Sequence, residues 1–101
     1  MIDPSKCNSE IRILVDSAGI RLDPDPYPPQ TAPVTVCWTI GADSNATLIF
    51  VSPTPAELHA TSLQPAIRTF TRPGAYLYFV SVIRGGEIQK VIPTAIVIID
   101  G

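Results

Sequence analysis

Ala75-Tyr-Leu-Tyr-Phe-Val-Ser-Val-Ile83 is a nine-residue run preceded by Arg72-Pro73-Gly74 and followed by Arg84-Gly85-Gly86. Pro and Gly in adjacent positions suit a type II turn, which needs a positive φ after its proline. A glycine pair between apolar runs is a hairpin signal. The run is therefore expected to form a long strand that turns at 85–86 into a second arm, Ile88 to Ile99. Pro93 then marks a bulge, a bend or an edge position in that arm, because it has no N–H for a ladder.

The rest of the chain reads the same way. Val34-Thr-Val-Cys-Trp-Thr-Ile40 alternates, with Val34, Val36, Trp38 and Ile40 on one face and Thr35, Cys37 and Thr39 on the other. Ile11–Val15, Ile20–Leu22, Thr47–Val51 and Ile67–Thr71 are further short strand-like runs. Ser17-Ala-Gly19 reads as a turn and 41–45 as a loop. Asp23 to Gln30 holds four prolines in eight residues, which predicts extended coil or an edge. Ser52-Pro-Thr-Pro55 is a break. After it, Thr54 as N-cap and Pro55 at the first helical position predict a short helical turn over 55–60. Seven or eight short strands with regularly spaced turns predict an all-β, Greek-key, two-sheet β-sandwich, one domain over residues 1–101.

Composition narrows the function classes. Seven Lys and Arg against nine Asp and Glu give a net charge of -2, which argues against a nucleic-acid partner. Hydrophobic residues make up 46% and charged residues 16%, the opposite of a disordered chain. No window approaches the roughly 18–20 apolar residues of a membrane-spanning helix. Met1 to Cys7 carries no apolar leader core, so a cytoplasmic protein is expected, with an exported mature chain as the alternative. Two cysteines, Cys7 and Cys37, are too few to define a disulfide scaffold. They are read as unlinked thiols that would pair only in an oxidising compartment.

Two of these segments carry a resemblance. Val34-Thr-Val-Cys-Trp-Thr-Ile40 resembles the VTVxW strand of cupredoxins. Phe70-Thr-Arg-Pro-Gly-Ala-Tyr-Leu-Tyr-Phe-Val80 resembles their FxxPGxYxYxC strand, and is equally similar to polycystic-kidney-disease-type and other immunoglobulin-like modules. Both families are Greek-key sandwiches, so the resemblance implies that architecture. In such a fold Trp38 fills the gap between sheets, and Tyr76 buries its ring while its hydroxyl reaches a backbone group at a corner.

The chemistry that a cupredoxin resemblance implies is not written in the residues. A blue-copper centre needs two imidazoles and a thiolate. His59 is the one histidine, and Phe79-Val-Ser-Val-Ile-Arg84 contains neither Cys nor His where that family places its cysteine. No cofactor is expected. Cys7, Cys37 and His59 lack zinc-ligand spacing. No GxSxG elbow accompanies the histidine, and no enzyme is expected. Asp23 and Asp25 on an extended segment suit a weak Ca²⁺ site or a solvated turn. Asn45-Ala-Thr47 matches a glycosylation sequon. Arg68, Arg72 and Arg84 would cluster at one end if the hairpin and its preceding strand are neighbours; the alternative is three ordinary solvated charges.

The apolar arm is the strongest functional signal. Ala75–Ile83 is apolar on nearly both faces and Ala95–Ile99 on both, yet a two-sheet sandwich buries one face of each sheet. Either Ile96 and Ile98 or Val97 and Ile99 then need a cover, from the 52–65 segment or from another chain. The candidate contact residues are Tyr76, Tyr78, Ile96, Val97, Ile98 and Ile99. The expected role is a non-catalytic protein-interaction or structural module that self-associates through the 75–99 hairpin. A competing reading makes Tyr27, flanked by prolines, an aromatic platform for a small ligand or glycan.

Overall fold

The computed structural model describes residues 7–17, 19–25, 27–89 and 91–100. The leader reading of residues 1–6, and Ala18, Pro26 and Lys90 within the turn, proline-run and return-arm readings, lie outside the described residues. Ten strands and no helix occur among those described. In chain order they are β1 (Ser9–Asp16), β2 (Gly19–Asp23), β3 (Gln30–Thr31), β4 (Val34–Ile40), β5 (Ser44–Ser52), β6 (Ala56–Thr61), β7 (Ala66–Phe70), β8 (Gly74–Arg84), β9 (Glu87–Ile88) and β10 (Ile92–Ile99).

The strands form two sheets. One runs β2-β1-β4-β7; the other runs β3-β10-β8-β5-β6, with β9 paired to β8. The chain passes from β4 to β5 and β6 in the opposite sheet, back to β7, then over again to β8. The expected two-sheet all-β sandwich is the observed one. Two pairings are parallel, β1 with β4 and β3 with β10; the others are antiparallel.

Alternation builds the core. Val34, Val36, Trp38 and Ile40 of β4 all face inward, where they meet Leu48 and Phe50 of β5 and Tyr78, Val80 and Val82 of β8 from the other sheet. Trp38 lies fully buried between the sheets, edge-on to Phe50 and to Tyr78, each with ring centroids 5.8 Å away. Its indole N–H donates to the Tyr78 hydroxyl at 3.2 Å, so the buried polar atom is satisfied. Each such ring contributes on the order of 2–3 kcal/mol by leaving water.

The corner before β8 forms as expected. The Tyr76 hydroxyl donates to the Arg72 carbonyl at 2.7 Å, which ties the incoming turn to the strand. At the far end Gly85 and Gly86 have φ of 59° and 82°, and Arg84 pairs with Glu87. A two-residue hairpin loop of this kind needs positive φ at both positions. The return arm is interrupted, as β9 and then β10. Pro93 is tolerated in β10 because β3 pairs only with Ile98 and Ile99, leaving the strand an open side there.

Two expectations fail. Residues 56–61 are β6, not a helical turn. Leu48 opposite Leu58 and Ala46 opposite Ala60 give this segment a ladder on β5, and that pairing outweighs a local capping signal. Cys7 and Cys37 are not unlinked thiols: they form a disulfide with Cα atoms 5.9 Å apart. The parallel β1–β4 pairing brings them together. Ser9 lies opposite Val36, and the Asn8 N–H donates to the Thr35 carbonyl at 2.9 Å, so Cys7 lands beside β4. The bridge covers Cys37 on the outer face of its sheet.

Candidate functional site

The outer face of the six-stranded sheet is the feature that the core leaves unexplained. Strand alternation in β8 turns Tyr76, Tyr78, Val80 and Val82 inward, which forces Leu77, Phe79 and Ile83 outward. In β10 Ile96 and Ile98 point inward, while Val97 and Ile99 point out. In β5 Ile49 and Val51 do the same. Leu77 is 47% exposed, Phe79 40%, Val97 43% and Ile99 47%, values normally seen for polar strand positions.

The register gathers these side chains. Phe79 stands between Ile49 on β5 and Pro93 on β10. Leu77 lies beside Ala95, and Ala75 beside Val97. A β-bulge between Phe50 and Ser52 sets Val51 close to this row. The result is a continuous apolar surface across three neighbouring strands. β6 continues the same sheet at its edge instead of folding over it, so the 52–65 segment does not supply the cover that the sequence allowed for.

Of the six candidate contact residues, the structure therefore separates two from four. Val97 and Ile99 are on the exposed face. Tyr76, Tyr78, Ile96 and Ile98 are core residues, because their alternation points them between the sheets. Leu77, Phe79, Ile49 and Val51 belong to the surface and were missed. The signal for the first two was present: once the Tyr76 ring is placed inward, a period of two puts residues 77 and 79 outside.

Tyr27 is half-buried and packs against the core; its hydroxyl donates to the Ser9 hydroxyl at 2.5 Å. Burial raises its pKa above the usual phenol value, and the Ser9 bond opposes that shift. It lines a cleft of about 180 Å³ with Leu22, Tyr78 and Ile92. Ligand pockets generally run from about 300 Å³ upward. The ring serves as a strut between the proline run and β1.

The remaining chemistry-bearing residues are dispersed. Arg72 and Arg84 sit at opposite ends of the 11-residue β8, so the three arginines do not cluster. Arg84 donates to the Val15 carbonyl at 3.1 Å, and Arg68 lies 4.4 Å from the Phe50 ring centroid. Asp23 lies opposite Arg12 in the β1–β2 register, Arg12 reaches Glu10 at 3.5 Å, and Asp25 is exposed. Asn45 is exposed on the outer face opposite Ile83. Among the described residues, no three His, Cys, Asp or Glu side chains gather as metal ligands.

Thr47, His59 and Glu57 form a chain on that same face: Thr47 Oγ1 to His59 Nδ1 at 3.4 Å, and His59 Nε2 to Glu57 Oε2 at 3.0 Å. The order is hydroxyl, imidazole, carboxylate. Backbone N–H groups in a sheet lie in its plane, so the backbone around this chain aims no donor outward.

No protein-family model matches the chain, and neither a characterised protein nor a solved structure is detectably similar to it.

Proposed function

We propose that the protein is a non-catalytic β-sandwich that works by protein contact, as an interaction or structural module, through the outer face of its 75–99 arm. The observation that carries this reading is the row Ile49, Phe79, Pro93 with Leu77 and Val97 beside it, apolar and half-exposed. Contiguous apolar patches of more than a few hundred Å² usually mark an interface. No reactive side chain is needed for this role: a flat sheet face binds by area and fit.

The resemblance supports the sandwich architecture and, by itself, no more specific role. The Tyr76 corner is an immunoglobulin-like device, whereas the two parallel pairings depart from that fold's antiparallel sheets. The Cys7–Cys37 bridge fits a chain that works in an oxidising compartment, which favours the exported alternative over the cytoplasm.

Photo-crosslinking tests the reading. A benzophenone amino acid at position 79, in the cells that make the protein, is expected to give a discrete protein adduct. The same group at Thr69, on the outer face of the other sheet, is expected to give none. Equal labelling at both positions, or none at 79, contradicts the reading.

A further inference from the structure

The contact face is almost uncharged. No outward side chain of β5, β8 or β10 is ionisable; Glu57 and His59 appear only at the β6 border. A face with no charges offers a foreign partner nothing electrostatic to select. It also lacks the usual obstacle to self-association. Two-fold symmetry sets the face against itself, residue i on j and j on i, so a face carrying charge of one sign repels its copy and a neutral apolar one does not.

Shape points the same way. Stacked sheets pack about 10 Å apart with strands within about 30° of each other, the angle arising from the twist of each sheet. Two copies of one sheet share that twist. The outward run Ala75–Ile83 spans about 26 Å and the three uncharged strands β10, β8 and β5 about 14 Å, a flat footprint of roughly 400 Å²; β3 and β6, with Glu57 and His59 at the rim, widen it to roughly 600 Å². A standard stable interface takes roughly 800 Å² per partner, so this face suits a weaker dimer that dissociates on dilution.

We infer that the face is covered by the same face of a second copy. Two sandwiches stack as four layers about a two-fold axis, with Leu77 and Phe79 near the centre. This inference rests on the contact reading proposed for the face and names its occupant.

Sedimentation velocity of the purified full chain, disulfide intact, tests it. The wild type is expected to sediment as a dimer at submillimolar concentration and to dissociate on dilution. Leu77→Lys with Phe79→Lys is expected to weaken the dimer by about tenfold or more, as hot-spot removal does. Val97→Lys, on a different strand, is expected to do the same if the double variant fails to fold. Leu63→Lys, in an exposed loop, is expected to leave the dimer intact. A wild type that stays monomeric throughout overturns the second copy as occupant, while a crosslinked adduct of different mass at position 79 leaves the contact reading standing. A dimer unaffected by lysine at 77, 79 and 97 overturns both.

Discussion

Ile49 and Phe79 face each other across β5 and β8 on the outside of the sheet, and at the next register position Phe50 and Tyr78 stack inside it with ring centroids 4.7 Å apart. Four neighbouring apolar residues thus have two fates. For Phe50 and Tyr78, folding of a single chain accounts for burial. For Ile49 and Phe79 it does not. Phe79→Lys is therefore expected to change the stability of the isolated monomer by about 1 kcal/mol or less. Phe50→Ala is expected to cost about 3–5 kcal/mol through the cavity it leaves. Urea melts at submicromolar concentration, where association is minimal, check the contrast; equal losses would mean that Phe79 is structural.

Tyr78 gives the fold an alkaline limit. Burial pushes its pKa up to about 12, the bond from Trp38 working against that shift and Tyr27 adding to it. In the unfolded chain a tyrosine ionises near 10. The neutral side chain therefore stabilises the fold fully below pH 10, and that contribution is lost as pH rises through about 12. Two units correspond to about 3 kcal/mol. Urea melts of wild type are expected to weaken steeply between pH 10 and 12, and those of Tyr78→Phe to weaken less over that range. Parallel profiles would reject Tyr78 as the group responsible.

The Cys7–Cys37 bridge closes a loop with a sequence separation of 30. Cross-links of that span contribute about 3–4 kcal/mol, mainly by restricting the unfolded chain. Reduction, or the double change Cys7→Ser with Cys37→Ser, is expected to lower unfolding free energy by about 2–4 kcal/mol. A melt unchanged by a phosphine reductant, with thiols shown by mass spectrometry to be free, would contradict this.

How far these features could be read from the sequence differs by feature, for physical reasons. The β4 core face was legible because Val34, Val36, Trp38 and Ile40 alternate with polar residues, so one register alone is sensible. The β10 face was not, because Ala95–Ile99 is apolar at every position and alternation then carries no sign. The ladder with β8, which sets Ile96 opposite Tyr76, decides it. β6 was misread because Ala56-Glu57-Leu58-His59-Ala60 follows a good cap, and nothing local reveals the β5 partner. The disulfide was hidden for a similar reason: only a parallel strand pairing brings Cys7 to Cys37.

Arg68 was also illegible. It lies opposite Val36 in the ladder, so it points between the sheets. Its guanidinium sits 4.4, 5.0 and 5.3 Å from the ring centroids of Phe50, Phe70 and Tyr76. One amino group reaches the Thr54 carbonyl at 3.4 Å, and Nη1 is buried with no hydrogen-bond partner among the described residues. The rings favour the cation, and the unpaired N–H opposes it. Arg68→Met keeps the packing without the buried charge and is expected to stay within about 1 kcal/mol of wild type. Arg68→Ala leaves the aromatic box unfilled and is expected to cost about 2 kcal/mol. Thermal melts separate the two; a larger loss in the methionine variant would show that the charge itself holds this edge together.

Hydroxyl-radical footprinting read by mass spectrometry tests most directly whether the outer sheet face meets its own copy. Between low-micromolar and submillimolar concentration, Leu77, Phe79 and Ile49 are expected to become protected while Leu63, 85% exposed, keeps its labelling. Equal labelling of Phe79 at both concentrations, in step with Leu63, would contradict the account.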